Sequence, residues 1–82
     1  MDALTLFGTE PGIAFPGVHC VVRNLHRWSQ HAPFMLTNGL QAREELLQAV
    51  GIEDERRAWL LAERELYLQA LAGTLPPPEA FQ

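Results

Sequence analysis

The sequence predicts an all-α protein, a small three-helix domain over about residues 18–30, 39–50 and 54–72. An extended N-terminal arm, residues 1–17, precedes it, and a Pro-rich C-terminal tail, residues 74–82, follows. Three observations predict this. Apolar residues recur at i, i+3, i+4 and i+7 through 18–30, the spacing of a surface helix. Residues 38–73 read as a helical hairpin hinged at Gly51. The Pro-Gly and Pro-Pro pairs lie outside these stretches, at 11–12, 16–17 and 76–78, where they mark turns and stops.

In the arm, Leu4 to Phe7 and Ile13 to Phe15 are short apolar pieces separated by Gly8-Thr9-Glu10-Pro11-Gly12. Strands of three or four residues make no stable sheet alone. The arm is therefore expected to lie extended on the helices, anchored by Leu4, Leu6, Phe7, Ile13 and Phe15, or to add to a partner's sheet edge. Along the first helix, Val18, Val21, Val22, Leu25 and Trp28 fall on one side at 100° per residue. His19, Arg23, His26, Arg27 and Gln30 fall on the other. A strand would place Val21 and Leu25 beside His19 and Arg23, so helix wins. Ala32 resists the α region because proline follows it.

Phe34-Met35-Leu36 reads as an apolar connector, and Asn38 as the next N-cap, with Gln41 placed as its capping-box partner. The second helix sets Leu40, Leu46, Leu47 and Val50 on one face, with Arg43 in its middle as a side chain whose stem packs while its head reaches water. Gly51 stands where a glycine closes a helix. Glu53, Asp54 and Glu55 then favour the positive dipole end of the third helix, and Glu53 is spaced to pair with Arg57. That helix stops at Gly73, and Pro76 to Pro78 fit polyproline II.

The third helix is the informative one. Its apolar residues form three stripes: Trp59, Ala62, Leu66 and Ala70; Leu60, Tyr67 and Leu71; Leu61, Leu68 and Ala72. A surface helix needs one stripe. Three imply a central helix packed by the other two and by the arm, either in a compact fold without a partner or with one stripe left for another chain.

Size and charge bound the rest. Eighty-two residues make one domain with a thin core, which in this size range rarely supplies more than about 3–5 kcal/mol. The single Cys20 allows no internal disulfide, so stability depends on packing, a metal or a partner. At 48% apolar the chain is not a disordered tail. All six basic residues are arginine, against ten acids, for a net charge of −4. Eight of those acids follow residue 42, which argues against a phosphate-binding surface. The absence of lysine points to a GC-rich bacterial or phage source. The N-terminus lacks the basic and apolar regions of a secretory signal, and the longest apolar run, Ala58 to Ala62, is far short of a membrane span. A cytoplasmic location is expected.

Site chemistry is sparse. His19 and His26 share a face but stand roughly 10 Å apart along the axis, too far for one zinc ion. Cys20 points elsewhere on the helix, so a metal site would need His31 or a second chain. A helix-turn-helix DNA binder would enter the groove with Glu53, Asp54 and Glu55 foremost, the wrong charge for that task. No phosphate loop, zinc spacing or nucleophile elbow occurs, and no cofactor is expected.

The expected function is a non-enzymatic protein-binding module, an adaptor, inhibitor or chaperone-like regulator, acting through an apolar face of the third helix on a protein partner or on itself. Trp59, Leu60, Leu66, Tyr67 and Leu71 are the expected partner-binding residues, since aromatic and large apolar side chains dominate interface energetics. A structural subunit of a larger assembly is the second reading, and DNA binding the third.

Overall fold

A computed structural model describes residues 17–81. Three α-helices, α1 (Val18–His31), α2 (Phe34–Leu47) and α3 (Asp54–Ala72), are followed by a short 3-10 turn, Pro78–Ala80. No strand occurs among the described residues. The all-α, three-helix expectation is what the chain adopts. The arm and its expected anchors, Leu4 to Phe15, lie outside the described residues.

α1 buries Val18, Val22 and Leu25, with Val21 and Trp28 packed against them, so the face set by periodicity is the face that enters the core. Ala32 adopts φ −151°, ψ 63° ahead of the proline, which breaks α1 from α2 in two residues.

α2 departs from its expected bounds at both ends. It begins at Phe34 rather than 39, so Phe34-Met35-Leu36 is its first turn and Asn38 is interior. The backbone explains this. Pro33, at φ −58° and ψ −24°, already has helical geometry and needs no amide hydrogen at a helix start. The early start also carries Leu36 into the core, where it is fully buried. At the far end α2 stops at Leu47, not 50, and Gln48 and Ala49 donate to Glu45 and Leu46 in tighter turns. Gly51 takes the left-handed conformation expected of it (φ 90°), but as the reversal four residues beyond the last helical residue, Leu47. Val50, expected on the apolar face, is therefore 100% exposed.

α3 has its expected limits, with Asp54 and Glu55 in the first turn. Arg57 does not pair with the Glu53 side chain. Its Nη1 donates to the Leu47 carbonyl at 3.0 Å, covering an acceptor that the end of α2 leaves open. Gly73 (φ 78°) ends α3 in a Schellman motif, with Thr74 N–H donating to Gln69 O at 2.9 Å and Gly73 N–H to Ala70 O at 3.2 Å.

The Pro-rich tail then turns back. Pro77 has polyproline II angles (φ −69°, ψ 161°), and the 3-10 turn after it packs on α1. His26 Nε2 donates to the Pro76 carbonyl at 2.9 Å, fixing the segment where it crosses the helix. Leu75 and Phe81 are buried by this, and Phe81 is the largest fully buried side chain. The core thus joins Val18, Val22 and Leu25, Leu36, the inner side of α3, and two residues of the tail.

Candidate functional site

The α2–α3 hairpin is held by a polar seam built around Arg43. Its Nε donates to Glu63 Oε1 at 3.0 Å and its Nη1 to the Gly39 carbonyl at 3.1 Å. The guanidinium lies 4.6 Å from the centroid of the Tyr67 ring, a cation–π distance. Arg43 is thus half-buried and ion-paired rather than merely snorkelling. Gly39 is required here: a β-carbon would come within 2.8 Å of Tyr67 Cζ and Oη. Burial pushes the Tyr67 phenol above its usual pKa; Arg43 opposes the shift and Glu63 adds to it. Further along, Arg64 Nε reaches Glu44 Oε2 at 3.4 Å.

Against this frame the five expected partner-binding residues separate. Leu60, Leu66 and Tyr67 are buried in the chain's own interior. Trp59 is 38% exposed and Leu71 46% exposed. These two lie about 18 Å apart along the helix axis and on different sides of it, so the five do not form one surface.

Of the three stripes on α3, the first two supply most of the inner side. The third, Leu61, Leu68 and Ala72, does not enter the core, and Leu61 is 45% exposed. With Ala58 and Glu65 it forms the series 58, 61, 65, 68, 72, alternating steps of three and four, the spacing of a coiled-coil seam. Leu71, Arg57 and Arg64 run along one edge. The expected partner-binding residues come from the other two stripes, and the 3-4 spacing is the sequence signal that marks this one.

A second surface lies between the hairpin arms on the nearly opposite side of α3. Leu46 and Trp59, with Arg43, Arg56, Leu60 and Glu63, line a pocket of about 210 Å³. Another, of about 140 Å³, lies between Leu25, His26, Ser29, Ala70, Gly73 and Leu75, where the tail crosses α1. Both fall below the roughly 300–1,000 Å³ of small-molecule sites.

Among the described residues no group of three or more His, Cys, Asp or Glu is arranged to hold a metal ion, and Cys20 is exposed and free. No helix among them is long and apolar enough to cross a membrane. The chain matches no protein-family model, no curated protein and no solved structure.

Proposed function

We propose that this chain is a non-enzymatic protein-binding module that offers the Leu61–Leu68–Ala72 seam of α3 to a partner protein. One observation carries the reading. After the core has taken Leu60, Ala62, Leu66, Tyr67 and Ala70, a seam with coiled-coil spacing is still on the surface. In water the exposed Leu61 and Ala72 of this seam, with Leu71 on its edge, cost free energy that burial against a second helix recovers, at about 25 cal/mol per Å² removed from solvent. Arg57 and Arg64 on the edge, anchored by the Leu47 carbonyl and by Glu44, and Glu65 in the seam would set which helix fits.

A test uses the double variant Leu61→Glu/Leu71→Glu beside the wild type, read by hydrophobic-dye fluorescence and circular dichroism. The wild type should bind dye, and the variant should lose most of that signal. Its helical spectrum and unfolding midpoint should stay close to wild type, since exposed substitutions usually shift stability by no more than about 0.5 kcal/mol. A wild-type chain that binds no dye would overturn the reading.

A further inference from the structure

The groove between Leu46 and Trp59 is a different surface from the seam, and it carries an inference beyond the binding role proposed above. We infer that this groove is a homodimer contact, filled by the same groove of a second copy of the chain about a two-fold axis.

The pocket is too small for a small-molecule ligand but is open, with Leu46, Trp59 and Leu60 set among Arg43, Arg56 and Glu63, and Leu46 and Trp59 are both on the surface. Its size suits side chains from another protein surface. The charges then select which protein. Arg43 is committed within the chain to Glu63, to the Gly39 carbonyl and to the Tyr67 ring. Arg56 and Glu55, both exposed, make no hydrogen bond or ion pair among the described residues. At 100° per residue they stand 100° apart around α3, and Trp59 falls between them.

An aromatic residue flanked by one free acid and one free base is complementary to itself. In a two-fold contact residue i meets j while j meets i. Arg56 can therefore meet Glu55 of the second copy at the same time as Glu55 meets Arg56 of the second copy. Two charge pairs then close over the paired Trp59 and Leu46 side chains. A partner of uniform charge would satisfy one of these residues and repel the other, which costs specificity and affinity. A second copy satisfies both.

The experiment is a charge swap on the full chain, read by sedimentation velocity and light scattering at low salt. The wild type should be a dimer. Arg56→Glu and Glu55→Arg should each raise the dimer dissociation constant at least tenfold, because each places like charges opposite one another. Mixing the two variants should restore dimerisation, since the mixed pair carries two acids on one chain and two bases on the other. Both substitutions are exposed, and unchanged circular dichroism will show that folding is intact. A wild type that is monomeric across the concentration range, or single variants that dimerise as well as wild type, or a mixture that fails to recover, would each overturn the inference. The Leu61→Glu/Leu71→Glu chain should dimerise normally. A monomeric wild type that still binds dye would remove the dimer and leave the seam reading intact.

Discussion

Arg43, Tyr67 and Gly39 show how one residue's role depends on two others distant in sequence. The Tyr67 ring comes as close to α2 as it does only because Gly39 has no side chain, and Arg43 then covers the ring. In an isolated helix, alanine would be favoured over glycine by about 1 kcal/mol. Here the added methyl must push the ring away, and overpacking costs typically about 1–3 kcal/mol. Gly39→Ala should therefore destabilise the protein by about 1–2 kcal/mol in urea unfolding, and should be neutral or stabilising in a Tyr67→Ala background. A stabilised Gly39→Ala in the wild-type background would contradict this contact. Tyr67 also predicts a pH dependence. Its folded-state pKa is raised, so the native state holds the phenolic proton at pH values where the unfolded chain releases it. This contribution is complete below the unfolded value of about 10 and is lost as pH rises through the folded value. The urea midpoint should fall on raising the pH above about 10, and Tyr67→Phe should flatten that fall. Arg43 on the apolar face was legible in the sequence. Its partners Glu63, Gly39 and Tyr67 were not, because periodicity places a residue on a face without saying what the face meets.

At the scale of elements, α1 and α3 were legible almost to the residue, because each has strong local signals: amphipathic spacing in α1, and an acidic first turn and a terminal glycine in α3. α2 was not, because two local signals competed. Asn38 and Gln41 resemble a capping box, but Pro33 provides a helix start five residues earlier that also buries Leu36. Tertiary burial outweighed the cap. The tail followed the same logic. Its prolines correctly exclude an α-helix, yet the apolar residues around them carry the packing. Phe81 is 1% exposed, and truncating a buried phenylalanine costs about 3–5 kcal/mol. Cores of this size supply about that much in total. Phe81→Ala should thus abolish the cooperative unfolding transition or bring its midpoint close to zero urea, as followed by circular dichroism. A variant as stable as wild type would mean that the segment is dispensable.

Over the whole molecule, a thin core with no disulfide is completed by Ala62 to Ala70 of α3 and by the tail. Two apolar surfaces flank α3, the seam of Leu61, Leu68 and Ala72 edged by Leu71, and the groove of Leu46 and Trp59, while Phe34 and Val50 are exposed singly elsewhere. The dye-binding and charge-swap experiments address these separately, and each should respond only to variants on its own side of α3. The sequence by itself determined the helix count, the inner face of α1, the limits of α3 and the excess of apolar stripes on it, because these follow from local spacing and end signals. Only the tertiary structure decided which stripes of α3 turn inward, where α2 begins, and where Phe81 goes. Those outcomes depend on contacts between residues far apart in the chain, and three equivalent stripes carry no local mark of which one will be covered.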